Sequence, residues 1–447
     1  MTAQLSARPV STVPPDDAVW PLTSQTTEDG DLTVGGVRLT DVVTRYGTPA
    51  YVIDEYDVRT RCRRFRRAFP DAEIAYAGKA FLCRAMARWV ADEGLSLDVV
   101  SAGELAIARS VGFPAERILL HGNAKSPQDL RAALDYGVGR IVVDSATEVA
   151  RLAAATGGRH RQPVLLRVIP GVDAGTHQAL TTGVEEQKFG LSLDSGAAED
   201  VVRRILGQPD LELVGLHCHV GSQVTRPDAH ATAARRLVTG LARIRTEHDI
   251  TLRQLDLGGG FPVPYTSAEP SFDLPGHARE LRAAVARTCA LHRYPTPKLT
   301  IEPGRGIAAT AGITAYHVLA VKHTSAGNTY VAVDGGMGDN PRCSLYGARY
   351  TVRLVGRRAK TRETRPTTVV GRFCETGDII AVDAPLPADL HPGDVLVVAV
   401  TGAYHHSMAS NYNAIARPPV IAVRDGRARL LIRREADADI NTRDVGL

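Results

Sequence analysis

Eight short apolar segments in the first two thirds of the chain constrain its fold more than any other feature. The candidate strands occupy residues 74–79, 97–101, 118–122, 141–144, 164–170, 213–222, 255–260 and 299–305. Amphipathic stretches with helical periodicity lie between them, for example at 126–136, 147–155 and 231–247. Strands that alternate with helices are typical of a parallel sheet, and eight of them predict a closed (β/α)8 barrel of the TIM type.

Past residue 305 the pattern changes to short strands with little helical periodicity between them. Candidate strands lie at 330–334, 351–355, 378–382 and 395–400, and Asp425-Gly426 between two apolar runs is a strong hairpin signal. We therefore predict three regions. Residues 1–46 are an N-terminal tail followed by strands that join the β domain, residues 47–305 are the barrel, and residues 306–447 are a C-terminal antiparallel β domain.

Composition excludes several classes of protein. The chain has 447 residues, and its net charge of +4 comes from scattered basic residues, which argues against nucleic-acid binding. No apolar run approaches the ~20 residues of a membrane span. The first 31 residues are polar and lack the apolar core of a signal peptide, so we expect a tail. Six cysteines without a Cys-x-x-Cys pair favour a reducing, cytoplasmic location and argue against a structural zinc site.

Lys79 is the last residue of the first predicted strand of the barrel, in a chain where only six of the 53 cationic residues are lysines. A primary amine can lose its proton and attack a carbonyl, which arginine cannot do. Lys79 is therefore a candidate for Schiff-base formation. The alternative is a lysine whose stem packs at a strand end while its amine stays in water.

Polar and glycine residues collect where the predicted strands end, which is where barrel enzymes place their chemistry. His217 and His219 alternate along one strand and so share a face, where an imidazole can stack on a planar cofactor or simply bond within the core. Glycine-rich turns can present N–H groups to a phosphate, and Glu302 can pair with a protonated ring nitrogen. Pyridoxal 5′-phosphate (PLP) needs these partners and a lysine. The strand-end residues are Lys79, Ser101, His121, Asn123, Asp144, Arg167, His217, His219, Ser222, Gly258, Gly259, Gly260, Glu302, Gly304 and Arg305.

Taken together, these residues make the chain resemble the fold type III PLP-dependent decarboxylases, from about residue 36 to residue 423. The family has an alanine racemase-like barrel and β domain, and the branch most similar to this chain decarboxylates meso-2,6-diaminopimelate to L-lysine, the last step of lysine biosynthesis. The motifs are Tyr76-Ala77-Gly78-Lys79-Ala80, Leu97-Asp98-Val99-Val100-Ser101-Ala102-Gly103-Glu104, His121-Gly122-Asn123-Ala124-Lys125-Ser126, Lys188-Phe189-Gly190, Gly215–Gln223, Asp256–Gly260, Glu302-Pro303-Gly304-Arg305, Asp334–Arg342, Cys374-Glu375-Thr376-Gly377-Asp378 and Thr401-Gly402-Ala403-Tyr404.

The resemblance implies a role for each matching residue. It implies that Lys79 carries the cofactor and that Cys374 donates a proton, reaching the site of the other subunit of a homodimer with shared active sites. The residues implied to bind the cofactor are Lys79, His219, Ser222, Gly258, Gly259, Gly260, Glu302, Gly304, Arg305 and Tyr404. Those implied to bind the amino-acid substrate are Arg305, Arg342, Tyr346, Glu375 and Tyr404. The chain departs from the family pattern at Ala124, Cys343 and Thr376, and His405-His406 follows Tyr404.

Three other interpretations stay open at this point. One is a related decarboxylase for another amino acid in a specialised pathway, since Ala124 and Cys343 can reshape the pocket. The second is a PLP-binding barrel without catalysis, although the second domain and the Cys374-Glu375 pair argue against it. The third is a metallohydrolase with the ligands His121, His217, His219 and Asp256, which leaves the phosphate and pyridinium residues without a use. We expect no metal, no nucleic acid and no membrane partner.

Overall fold

The computed structural model describes residues 12–13, 18–158, 161–173, 183 and 187–446. The chain divides into two compact units. The barrel unit contains Arg61–Pro262 and Phe272–Gly306, and the β unit contains Met1–Thr60, Val263–Ser271 and Ile307–Leu447. Residues 47–60, which the sequence analysis assigned to the barrel, therefore lie in the β unit.

The N-terminal part of the β unit is folded from residue 18 onward. Val19 and Trp20 are buried, and the Thr23 hydroxyl donates to Asp54 at 2.6 Å, so the predicted tail is wrong for this part; residues 1–11 and 14–17 lie outside the described residues. Strands β1 to β4 form an antiparallel sheet of their own, in which Gly35-Gly36 form the hairpin turn between β3 and β4. The elements are β1 (Thr12–Val13), β2 (Gln25–Thr27), β3 (Leu32–Val34), β4 (Val37–Arg38), α1 (Leu39–Tyr46), β5 (Ala50–Asp54) and α2 (Glu55–Ala68).

The barrel unit confirms the predicted (β/α)8 architecture. Its eight parallel strands pair in the order β6-β7-β8-β9-β10-β12-β13-β14, and β14 pairs with β6 to close the barrel, while the short strand β11 pairs with β10 outside this ring. The elements are β6 (Glu73–Ala77), α3 (Arg84–Asp92), β7 (Ser96–Val99), α4 (Ala102–Arg109), β8 (Ile118–Leu120), α5 (Pro127–Tyr136), β9 (Arg140–Val143), α6 (Ala146–Thr156), β10 (Gln162–Ile169), β11 (Leu191–Ser192), α7 (Ala197–Leu206), β12 (Leu211–His217), α8 (Ala229–His248), β13 (Gln254–Asp256), α9 (Leu274–Leu291) and β14 (Lys298–Ile301).

Local chemistry explains where the barrel helices begin and end. Ser126 accepts a hydrogen bond from the Asp129 N–H and forms a capping box with it, and Pro127 occupies the first position of α5. Gly137 ends the same helix in a left-handed conformation (φ 75°) that disfavours other residues. Such signals set the alternation of strand and helix that closes the barrel.

Side chains inside the barrel lie in layers. Near the amino-terminal ends of the strands, Arg140 on β9 donates to both oxygens of Glu73 on β6 and to Gln254 on β13 at 3.0 Å. These strands are not neighbours in the sheet, so the hydrogen bonds cross the interior. An apolar cluster that includes Leu119 and Leu165 forms a further part of the core. A third, polar group lies near the carboxyl ends of the strands.

The β unit holds a nine-stranded mixed sheet rather than a purely antiparallel one, because β16 pairs with β18, and β5 with β21, in parallel. The strand order along the main path is β19-β18-β16-β15-β5-β21-β22, with β20 joining β15 to β17. The predicted hairpin at Asp425-Gly426 is confirmed. The elements are α10 (Arg305–Ala308), β15 (Gly312–His323), β16 (Thr329–Val333), α11 (Arg342–Tyr346), β17 (Val352–Val355), β18 (Thr364–Val370), β19 (Ile379–Pro387), β20 (Val395–Val398), β21 (Val420–Arg424), β22 (Arg427–Ile432) and α12 (Asp437–Asn441).

Among the described residues, no helix combines the length and the apolar character needed to span a membrane.

Candidate active site

The barrel unit gathers its unusual residues at the carboxyl ends of the strands, as the sequence predicts. Strand β6 ends at Ala77, and Lys79 lies in the following 3-10 turn Gly78–Ala80 rather than on the strand. Glycine suits the first position of this turn, since a Cβ on Gly78 would lie 2.9 Å from the Asp98 carbonyl oxygen. The Lys79 side chain is exposed while both neighbours in the turn are buried. Its amine is therefore accessible at the barrel mouth.

His219 lies in the loop after β12, which ends at His217. Its Nδ1 atom accepts a hydrogen bond from the Gly259 N–H at 3.1 Å. Burial, reinforced by the positive charge of Lys79, holds the pKa of His219 well below its usual value. The ring is therefore neutral near pH 7, with its proton on Nε2, and it presents a flat, uncharged surface close to the Lys79 amine.

The glycine turn after β13 packs closely against this loop. Gly258 has φ +65°, and a Cβ on it would lie 2.5 Å from the Cys218 carbonyl oxygen and 2.8 Å from His219 Nδ1. A Cβ on Gly259 would lie 2.3 Å from the Glu302 carbonyl oxygen, and one on Gly260 2.4 Å from the Gly221 carbonyl oxygen. No side chain fits at these positions without displacing backbone. The turn is therefore main chain packed closely against main chain.

Arg305 and Ser222 contact each other in the same unit as the glycine turn. Arg305 is buried, and its guanidinium donates to the Ser222 hydroxyl at 2.8 Å. Gly304 is buried too, and a Cβ on it would lie 3.0 Å from the Ala77 side chain and 3.1 Å from that of Ala80. This close approach packs the Glu302–Arg305 segment against the turn that carries Lys79.

Glu302 is the centre of a buried polar cluster that we call the Glu302 cluster: Asp98, His121, His217, Asp256 and Glu302. His121 Nε2 lies 2.8 Å from Glu302 Oε1 and 3.8 Å from Asp98 Oδ1, and His217 Nε2 lies 3.4 Å from Glu302 Oε2. The His121 contact is close but poorly aligned, so Glu302 Oε1 makes no hydrogen bond of good geometry. One carboxylate oxygen is therefore still suited to a further donor.

Two acidic residues of this region were quoted in the sequence motifs without a role. Asp98 belongs to the Glu302 cluster, and its pKa is raised by burial. Glu104 accepts a hydrogen bond from the Val100 N–H at 2.7 Å, and burial raises its pKa to about 7. Lys79 counteracts both shifts, so these carboxyl groups share its electrostatic surroundings. The position of these two residues near the ends of predicted strands was the sequence signal that could have identified them.

A second group of predicted residues lies in the β unit around Arg342. Arg342 is 4 % exposed, and its Nε donates to the Tyr350 hydroxyl at 3.1 Å. Its guanidinium carbon lies 5.2 Å from the ring centre of Tyr346, 5.7 Å from Tyr404 and 5.8 Å from Tyr265. Four tyrosines thus fix one arginine. Sequence analysis named Arg342, Tyr346 and Tyr404 and missed the other two.

Cys374 and Glu375 lie on an exposed loop of the β unit. All six cysteines lie in the described ranges, and Cys374 is the exposed one among them. Its N–H donates to Asn413 Oδ1 at 2.9 Å, and the Ser344 hydroxyl on α11 donates to the Gly377 carbonyl at 2.5 Å. The loop is therefore held from two sides while its thiol and the Glu375 carboxylate face outward.

Four members of the Glu302 cluster are also arranged as metal ligands. Ligand atoms of His121, His217, Asp256 and Glu302 all lie within 4.8 Å of one another. The metallohydrolase interpretation named His219 instead of Glu302, and His219 is not part of this group.

Comparisons with known proteins identify relatives along the whole chain. Residues 55–309 match the family described as pyridoxal-dependent decarboxylase, pyridoxal binding domain. The diaminopimelate decarboxylase of Actinosynnema pretiosum subsp. auranticum is 57 % identical over 433 residues, which cover 96 % of each chain. That of Corynebacterium efficiens is 47 % identical over 96 % of this chain and 94 % of its own. The crystal structure of diaminopimelate decarboxylase from M. jannaschii in co-complex with L-lysine superimposes with a TM-score of 0.89 at 29 % identity, covering 96 % of this chain and 98 % of that one.

Proposed function

Since the chain belongs to the diaminopimelate decarboxylases, within the pyridoxal-dependent decarboxylase family, we propose that it converts meso-2,6-diaminopimelate to L-lysine and CO2, the last step of lysine biosynthesis, with PLP as cofactor. The observation that carries this proposal is the 57 % identity to such an enzyme over 96 % of both chains. An identity this high over the full length leaves neither unit outside the comparison.

The barrel unit fits PLP in three respects. Gly258, Gly259 and Gly260 form a turn that excludes side chains, so a phosphate can approach the backbone there, with Arg305 as a cation in the same unit. His219 offers a neutral ring for stacking. Glu302 keeps an oxygen without a well-aligned hydrogen bond, which suits a protonated ring nitrogen.

When bound, PLP supplies an electron sink for the electron pair that decarboxylation leaves behind. The residues have separate tasks around that chemistry. Lys79 holds the cofactor through its amine, and Ser222 and Gly304 join Arg305 and the three glycines at the phosphate. Glu302 holds the proton of the ring nitrogen in place. Cys374 then delivers a proton from its thiol to the carbon that has lost CO2.

In this proposal the β unit supplies the substrate-binding groups other than Arg305. Arg342 and Arg305 bind carboxylates, because a guanidinium can hold a carboxylate with two parallel hydrogen bonds. Tyr346 and Tyr404 keep Arg342 oriented and contact the substrate, and Tyr404 also meets the cofactor. Glu375 binds the distal ammonium group. A substrate with a carboxylate and an amine at its far end satisfies all of these groups.

We further propose a cytoplasmic homodimer in which each active site is shared. The support is the family resemblance together with Cys374 and Glu375, which point outward from an ordered loop of their own unit. A proton donor exposed in this way suits a site completed by another copy of the chain.

The decisive experiment measures CO2 release from meso-diaminopimelate, L-lysine and L-ornithine at equal concentration. Lysine and ornithine lack the distal carboxylate and would leave an arginine unpaired. Sites of this kind discriminate against such analogues by a factor of ~10⁴ or more in kcat/KM. We expect turnover of meso-diaminopimelate alone. A kcat/KM for lysine or ornithine equal to or above that for meso-diaminopimelate would favour the related decarboxylase of another amino acid.

The Arg342→Leu variant tests the substrate assignment directly. It should lower kcat/KM for meso-diaminopimelate, because the distal carboxylate loses its partner. The preference for meso-diaminopimelate over lysine and ornithine should therefore become smaller. Arg365→Leu is the matched control, since Arg365 is exposed and pairs with Glu363 on the surface of the same unit. An equal effect of both substitutions would contradict the role of Arg342.

A further inference from the structure

Two histidines near the carboxyl ends of β8 and β12 have no role in the function proposed above, yet both direct Nε2 at Glu302. The distances are 2.8 Å from His121 to Oε1 and 3.4 Å from His217 to Oε2. The two rings pack edge to face with centroids 4.9 Å apart. Glu302 is 6 % exposed, and a carboxylate buried this deeply needs polar partners to stay ionised. The His217 imidazole is a hydrogen-bond partner of Oε2, and the His121 imidazole lies against Oε1 in a close but poorly aligned contact.

The surroundings of the Glu302 cluster favour ionisation of Glu302 over that of its neighbouring carboxyl groups. Burial raises the pKa of Asp256 well above its usual value, and the charge of Glu302 raises it further. Burial also raises the pKa of Asp98. Burial would do the same to Glu302, but His121 and His217 reverse the effect and hold its pKa well below the usual value. Of these three carboxyl groups, Glu302 is the one whose pKa its surroundings lower.

The protonation of His217 follows from the same surroundings. Burial lowers the pKa of His217 to about 3, so the ring is neutral. A neutral ring that contacts an ionised oxygen through Nε2 carries its proton there, and among the described residues its Nδ1 has no hydrogen-bond partner. His217 therefore donates to Glu302 without cancelling its charge. Each carboxylate oxygen has two lone pairs, so this contact leaves room for another donor.

We propose that His121 and His217 are positioning residues that hold Glu302 as an oriented, ionised acceptor for the protonated ring nitrogen of PLP. The two contacts come from different strands, so together they restrict rotation of the carboxylate. The proposal rests on the function proposed above, because it requires the cofactor ring nitrogen to meet Glu302. Both histidines act through Glu302, so replacing either should weaken the ring-nitrogen contact and leave the phosphate contacts unchanged.

The test compares two ligands that differ by one atom. Apo-protein is titrated with PLP and with its 1-deaza analogue, in which carbon replaces the ring nitrogen, and both dissociation constants are measured. Wild type should prefer PLP by about tenfold, the value of one hydrogen bond to a charged group, and Glu302→Gln should reduce this ratio toward one. His217→Phe and His121→Phe keep a flat ring without the N–H, and each should also reduce the ratio at least threefold. His217→Gln, which restores an N–H near the Nε2 position, should recover most of it.

His230→Phe is the matched control. His230 is buried, and its Nε2 lies 2.8 Å from the Gly259 carbonyl oxygen, so the substitution should weaken both ligands equally through the glycine turn. The proposal is overturned if His217→Phe and His121→Phe keep the wild-type ratio, or if His217→Gln loses it as fully as His217→Phe. Failure of wild type to bind PLP would instead overturn the proposed function. If His217→Phe fails to fold, His121→Phe and His217→Gln decide between the same outcomes.

Discussion

Replacing Glu73 should destabilise the barrel unit in a way that disappears at low pH. Burial would raise the pKa of Glu73, but the two hydrogen bonds from Arg140, with Ser96 and Lys298 nearby, lower it to about 2. Each unit of pKa difference between folded and unfolded chains is worth about 1.4 kcal/mol, so a fall from 4.5 to about 2 makes the ionised carboxylate worth about 3 kcal/mol. Glu73→Gln should lose about that amount at pH 7.

The sign of the pH dependence follows from the depressed pKa. The unfolded chain takes up the Glu73 proton below pH ~4.5, whereas the folded chain resists it until about pH 2, so wild type loses this stability as the pH falls between those values. The Glu73→Gln variant has no carboxyl group to titrate at this position, so it loses no folding stability from this source as the pH falls. The difference in stability between wild type and variant should therefore be largest above pH 5 and shrink steadily toward pH 2.

Urea unfolding of the apo-protein at several pH values measures this difference. The two tryptophans are Trp20 and Trp89, and a Trp20→Phe background leaves Trp89, buried in the barrel unit, as the fluorescent reporter. Glu116→Gln removes a charge from an exposed position of the same unit and should leave the midpoint unchanged. A difference between Glu73→Gln and wild type that is constant with pH, or that grows as the pH falls, would refute the reasoning.

Two further predictions concern catalysis. Lys79→Ala should abolish turnover and the yellow colour of the bound cofactor while the far-ultraviolet circular dichroism stays that of wild type; a borohydride-trapped cofactor on another lysine would contradict the assignment. Cys374→Ala should bind PLP nearly as wild type does and lose most of its turnover. Mixing inactive Lys79→Ala and Cys374→Ala subunits should restore activity, because one site of a mixed dimer carries both intact groups, and no recovery after verified subunit exchange would reject the shared site.

Sequence reasoning identified the barrel because its signals are local. Each strand is a short apolar run, and the chemistry of Ser126, Pro127 and Gly137 marks the ends of a helix without reference to distant residues. The strand β15 was missed because its first five residues are all buried, so the period-two alternation that marks a half-exposed strand is absent. The pairing of β5 with β15 and β21 joins segments far apart in sequence, and no local pattern encodes it.

The candidate site shows the same division. Lys79, His219 and Glu302 are recognisable from their residue types at strand ends, because those types match the needs of the cofactor. The side chains that contact Glu302 were harder to predict from the sequence, because the contact with His121 depends on which side chains meet inside the closed barrel. The close approach of Gly78 to the Asp98 backbone, one residue before Lys79, is likewise a property of the folded chain.

The barrel buries carboxylates near both ends of its strands. Their different partners suit one of them to stabilising the fold and the other to binding the cofactor. Near the amino-terminal ends, Glu73 faces Arg140, a cation that cannot lose its proton, so the pair neutralises itself and holds the strands together. Near the carboxyl ends, Glu302 faces His217, whose lowered pKa leaves it a neutral donor. A neutral donor orients a carboxylate without compensating its charge, so Glu302 retains an attraction for one further proton-bearing group. An arginine at position 217 would hold the carboxylate as firmly but would satisfy its charge, and the ring nitrogen of PLP would then gain little by meeting it.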